Sequence, residues 1–213
     1  MRVRALLVIA LAVMLGVGVL AQQPPRKPAS PAGTAATQVG GKWVQDKPDA
    51  APRYTGGKWI EITYGRPILK GRTEIFGKGA DYGKKVSDDA PVWRAGANLT
   101  TRLVTEAPLV FGGKTLPAGE YSVFVELKAG AWTLIFSKQA YQQKYDPNEK
   151  VATWGGYNYD QAQDVLRVPM TVGASPFSMD QFTIGFIDMT QGGGKLAMWW
   201  EKTLATVAFT VGS

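Results

Sequence analysis

Between Pro91 and Thr100 the chain reads PVWRAGANLT, which sets an indole (Trp93), a guanidinium (Arg94), a glycine (Gly96) and an amide (Asn98) within a few residues. Upstream, Tyr64-Gly65-Arg66-Pro67 and Lys70-Gly71-Arg72 carry the same mixture. A guanidinium is a planar fork of donors that matches a carboxylate, a phosphate or sugar hydroxyls. Arg66, Arg72 and Arg94, with Lys70, Trp93 and Asn98 beside them, are therefore candidate ligand-binding residues for a carbohydrate or a small anion. The plainer expectation, and the favoured one, is that these arginines pair with Glu61, Glu74 or Asp81 and staple loops to a scaffold. Half-buried arginines ordinarily find a protein partner. A second candidate is the aromatic loop containing Trp154, Tyr157 and Tyr159. Flat rings with polar tips suit sugar stacking; they equally suit capping an open end of a β scaffold.

Other chemistries are narrowed by what is missing. The chain has no His and no Cys. A Ser-His-Asp triad, a thiolate nucleophile and a His-ligated zinc or iron site are thereby excluded. No catalytic residue, cofactor or metal is expected. Paired carboxylates for glycoside hydrolysis, Glu61 with Glu120 or Glu126, are a distant third reading, because spacing in space decides such a pair. Asp88, Asp89, Asp160 and Asp164 fit no calcium-loop pattern.

These residues need elements to hold them. The chain has 213 residues, 45% hydrophobic and only 19% charged, with 25 glycines. That mixture suits one β domain with many turns. Arg2 and Arg4 precede an uncharged apolar run, Ala5 to Leu20. Residues 1–21 read as a signal peptide with cleavage before Gln22, so an exported, periplasmic or extracellular protein is expected. Contact with a membrane follows only if the run is kept as an anchor. The formal charge of +7 falls to 7 − 2 = +5 once Arg2 and Arg4 are removed. The basic residues are dispersed, so nucleic acid is not an expected partner.

Residues 22–57 are rich in Pro, Ala and Gly and read as a disordered linker. It carries one of two Gly-Gly-Lys-Trp echoes, at 40–43 and 56–59, and Trp43 is expected to dock as a clasp. The β domain is expected over 58–213. Trp59 to Tyr64 is its first strand, which Pro67 terminates. Ile68 to Ala90 shows no period and reads as an irregular loop. Strands follow at Thr100–Thr105, at Leu109–Phe111 and Lys114–Leu116 around Gly112-Gly113, at Glu120–Leu127 and at Trp132–Phe136. Further strands are expected at Asp164–Val172, where Pro169 requires an edge or a bulge, and at Met179–Met189, Lys195–Lys202 and Thr203–Val211. The fold class is all-β: an antiparallel β-sandwich, jelly-roll-like, in one domain.

The order of several motifs carries a resemblance. YGRP-x-x-KGR (64–72), VWRAGAN (92–98), LPAGEYSVF (116–124), WTLIFSK (132–138), WGGYNYD (154–160) and LAMWWEKT (196–203) together resemble the bacterial DUF2911 family, over about Trp59 to Val211. The resemblance implies an exported bacterial β protein and no activity. Two departures stand out: Lys84 to Ala90 looks inserted, and Leu99 stands where an acid is expected. The resulting expectation is a non-catalytic binding module for a carbohydrate or small anion. The alternative is an envelope scaffold or interaction domain without a small ligand.

Overall fold

The computed structural model describes residues 28–212. The expected signal peptide, residues 1–21, lies outside them. The linker expectation is corrected from the start of the described chain. Strand β1 (Ala32–Val39) pairs antiparallel with β4 (Lys58–Gly65), from Ala32 opposite Gly65 to Val39 opposite Lys58. Its sequence, AGTAATQV, brings little apolar surface of its own. It is ordered because an edge strand needs only the backbone ladder, while β4 supplies Ile60 and Ile62 for Ala35 and Val39 to cover. Between them, β2 (Lys42–Val44) and β3 (Arg53–Thr55) form a two-stranded ribbon. Trp43 is no clasp: it is 65% exposed, with its ring against the edge of Tyr54, its partner in the ribbon. Tyr54 does the joining, its hydroxyl accepting from the Gly41 N–H at 2.9 Å.

The remaining strands are β5 (Thr101–Thr105), β6 (Leu109–Phe111), β7 (Lys114–Leu116), β8 (Gly119–Glu126), β9 (Thr133–Ser137), β10 (Asp164–Pro169), β11 (Thr171–Thr190) and β12 (Gly193–Val211). They make a six-stranded sheet ordered β1-β4-β5-β8-β9-β10 and a four-stranded sheet ordered β11-β12-β6-β7, all antiparallel. The all-β sandwich is thus realised. The β6–β7 hairpin turns at Gly112 and Gly113 with φ of 54° and 81°, the left-handed pair that such a tight turn requires. Pro169 ends β10 at the sheet edge, where its missing N–H breaks no ladder.

Two strand assignments change. Asp164–Val172 is not one strand: it passes from the six-stranded to the four-stranded sheet at Met170. Lys195–Lys202 and Thr203–Val211 are one strand, β12, with a break in register at Glu201 (φ 53°). That bend turns the Glu201 carboxylate onto the loop before the site, where it accepts from the N–H groups of Glu74 (2.7 Å) and Ile75 (3.0 Å).

The core lies between the sheets. Ile62, Leu103, Val123, Val125, Leu134 and Phe136 face inward from the first sheet, opposite Leu109, Phe111, Phe182, Ile184 and Met198 from the second. Each such side chain contributes roughly 1.5–3 kcal/mol by leaving water. Tyr64 crosses between the sheets: its hydroxyl accepts from the Ile184 N–H at 2.9 Å and donates to the Ile184 carbonyl at 3.3 Å. On the opposite side of β8 and β9, Phe124 and Ile135 are also buried, under Val92 and Tyr159. The long loop before β10 therefore forms a partial third layer. The loop Ile68–Ala90 is irregular apart from one short 3-10 turn and one helical turn, α1 (Lys84–Ser87).

Candidate functional site

Beyond the reach of β5, the ladder of β8 is continued by a single residue. Trp93 exchanges both backbone hydrogen bonds with Val125, at 2.9 and 2.8 Å. Its indole enters the core, 1% exposed, with its centroid 5.0 Å from Phe182 and 6.3 Å from Trp200. Its Nε1–H donates to the Gly96 carbonyl at 3.1 Å. Trp93 is thus an anchor for the loop rather than an exposed ligand contact. Two further side chains close the loop on itself. The Arg94 Nη1 donates to the Asn98 carbonyl at 2.6 Å, and the Thr101 hydroxyl donates to the Ala95 carbonyl at 3.0 Å.

This loop and the end of β4 lie together. A Cβ on Gly65 would stand far inside van der Waals contact of the Ala97 carbonyl oxygen, so only glycine allows the approach. Asn98 Nδ2 donates to the Ser30 carbonyl at 2.8 Å, which ties in the segment ahead of β1. On the other flank, Arg94 lies over Gly155, whose φ of 63° also suits glycine. Thr100 donates to the Gly155 carbonyl at 3.1 Å.

The result is a pocket of about 410 Å³ whose lining includes Arg72, Lys85, Asp88, Arg94, Asn98 and Trp154. Three cationic residues and one carboxylate, Asp88, share the lining. Among the described residues, Arg72, Lys85 and Arg94 make no ion pair. Arg72 instead donates to the carbonyls of Leu69 (3.0 Å) and Ile68 (2.7 Å), which fixes its guanidinium at the rim. Asp88 is held by the Tyr157 hydroxyl, with its carboxylate at 2.7 Å and its carbonyl at 2.8 Å. That hydrogen bond, first of all, raises the Tyr157 pKa. Burial lowers the Arg94 pKa, with Asp88 and Tyr157 opposing it; a guanidinium stays charged regardless.

The expected ion pairs with Glu61, Glu74 and Asp81 are therefore not what holds the arginines. Glu74 pairs with Lys78 and Asp81 with Lys84. The sequence candidates divide. Arg72, Trp93, Arg94, Asn98 and Trp154 share the pocket lining, and Tyr157 stands at its edge through Asp88. Lys70 is exposed and outside it. Arg66 turns the other way: its aliphatic stem packs on Gly33 and its Nη2 donates to the Thr183 hydroxyl at 3.4 Å. Tyr159 belongs to a separate network. Its hydroxyl donates to Asp164 at 2.6 Å and accepts from Arg167 at 2.8 Å, while Arg167 also pairs with Glu126 at 2.5 Å. Burial, then the bond to Asp164, raises the Tyr159 pKa well above the usual phenol value. Lys85, Asp88 and Ser30 are pocket residues that sequence reading missed. The first two stand in the segment that looked inserted, where their charge was the available signal.

The carboxylates do not gather elsewhere. Among the described residues, no three acidic side chains converge as a metal site. Glu126 is held by Lys128 and Arg167, and Asp160 caps the turn before β10.

No curated protein and no solved structure matches the chain. One family model does, over residues 47–209, described as a protein of unknown function. The match takes in strands of both sheets, though not β1, and every residue of the pocket except Ser30, and on it the chain belongs to the DUF2911 family.

Proposed function

We propose that this protein is an exported, non-catalytic binding module whose ligand is a small molecule bearing a carboxylate or phosphate. The observation that carries the reading is the convergence of Arg72, Lys85 and Arg94 on one pocket without an ion pair among the described residues. Guanidinium groups left without an internal carboxylate are set to accept an external one. Trp154, half-buried in the same lining, offers an apolar ring beside the charge, which suits a sugar ring or another flat group carrying the anion. Support for export is the Arg2 and Arg4 pair ahead of the apolar run Ala5 to Leu20.

Calorimetric titration with D-glucuronate, glucose 6-phosphate and neutral D-glucose tests the reading. Charged sugars should saturate the protein and glucose should not. Arg94→Gln should weaken the charged sugars about tenfold or more, the loss expected for one charge-assisted contact of roughly 1.5–3 kcal/mol. Equal response to all three sugars, or no saturation by any, would reject the anion reading and leave the scaffold alternative. N-terminal sequencing of periplasmic or secreted material decides export; a chain beginning at Gln22 is expected.

A further inference from the structure

The cationic pocket does not end at Asn98. Ser30, Ala97 and Asn98 also line a second cavity of about 430 Å³, so the two share a wall. The character changes across that wall. Ala32, Tyr64, Gly65 and Leu99 are among the groups lining the second cavity. Leu99 is 37% exposed, a large apolar side chain left facing solvent in a loop. Its charged group and its phenol are engaged: the Tyr64 hydroxyl is bonded to Ile184, and Arg102 donates to Tyr141 at 3.1 Å and pairs with Glu120 at 3.3 Å, while Thr63 and Gln143 add neutral polar groups to the lining. The second cavity thus offers apolar surface and a cation already paired with Glu120, directly beside a cavity with three cations that make no ion pair among the described residues. Its size falls within the range of small-molecule sites.

Resting on the anion reading above, we propose that the ligand is amphiphilic. Its charged group is held by Arg72, Lys85 and Arg94, and an apolar chain runs past Asn98 against Ala32 and Leu99. The bond from Asn98 to Ser30 fixes the wall between the two parts. A hydrophilic anion would leave Leu99 wet; an alkyl chain covers it, and burial of apolar surface is the favourable term.

The test uses methyl β-D-glucuronide and octyl β-D-glucuronide, the latter below its micellar concentration, in calorimetric titration of the protein. The octyl compound should bind at least about tenfold more tightly, from the methylenes removed from water. Two surface-accessible variants probe the cavity: Leu99→Ser, which removes apolar wall, and Ala32→Phe, which fills the space. Each should collapse the octyl-to-methyl preference toward unity. Equal affinity for the two glucuronides overturns the amphiphile while leaving the anion reading intact. Failure of both to bind removes both readings. An octyl preference that survives both variants overturns the placement of the chain. Octyl β-D-glucoside binding as tightly as the glucuronide overturns the link between the two cavities. Self-association that depends on Leu99, with no octyl preference, assigns the apolar wall to a second copy of the chain and likewise overturns the proposal.

Discussion

The guanidinium of Arg94 lies over the bare backbone of Gly155, within the space that a Cβ there would occupy. Gly155 also adopts a φ of 63°, which side-chain-bearing residues resist. Gly155→Ala should therefore act twice. It should lower stability by about 1–2 kcal/mol through backbone strain, read by urea unfolding. It should also displace Arg94 and weaken D-glucuronate by a factor comparable to that of Arg94→Gln. Wild-type affinity in this variant would mean that Arg94 does not set the site.

Gly65→Ala drives a methyl group into the Ala97 carbonyl, backbone against backbone, with no flexible side chain to yield. The loss should reach about 3 kcal/mol, at the upper end for overpacking. Gly112→Ala, where a Cβ meets nothing and only the turn conformation suffers, is the control. The midpoint of thermal unfolding should fall further for Gly65→Ala. Equal midpoints would show that the two loops are not rigidly apposed.

The Tyr159–Asp164–Arg167–Glu126 network gives stability two pH limits. Lys128, chiefly, and then Arg167 hold the Glu126 pKa below its usual value. Its contribution is complete above the ordinary carboxylate range, about pH 4–5, and fades as the pH falls through the folded-state value. The Tyr159 pKa is raised, so its contribution is complete below about pH 10 and fades as the pH climbs beyond, when only the unfolded chain releases the proton. Thermal midpoints of wild type and Glu126→Gln should converge at acid pH. In an ultraviolet titration, Tyr159 should be the last phenol to ionise, after Tyr121 and Tyr157, whose pKa values are also raised, and Tyr159→Phe should remove that last step.

Strand β1 makes a fourth prediction. Backbone amides of residues 32–39 that face β4 should exchange slowly with deuterium, at rates set by opening of the sheet. Exchange at the rate of a free peptide would restore the linker reading.

The strands that declared themselves were those with a buried face of their own, such as WIEITY and SVFVEL, because alternation reports burial. β1 was illegible for the converse reason: its side chains are small, and its order comes from the unpaired edge of β4. The pairing of the YGRP and VWRAGAN loops was legible in their glycines: Gly65 lets the Ala97 carbonyl approach, and Gly96 the Gly65 carbonyl. What held the arginines was not legible. Sequence suggested carboxylates, whereas Arg72 reaches carbonyls three and four residues back, Arg94 one four residues ahead, and Arg66 a distant Thr183 hydroxyl. Carbonyl acceptors belong to every residue and leave no mark in a sequence. Tyr159 was grouped with Trp154 and Tyr157 by proximity along the chain, yet β10 draws it away to Asp164.

The hydroxyl of Tyr64 meets a residue 120 positions later in the chain, and does so twice at the same backbone unit. That bond cannot form until the whole intervening polypeptide has been synthesised and brought round. A fold closed by such distant pairings has a large loop entropy to overcome before its contacts reward it, and refolding on the millisecond-to-second scale follows. With no cysteine to trap a partial structure, closing the two sheets on each other waits for β11, the strand that carries Ile184.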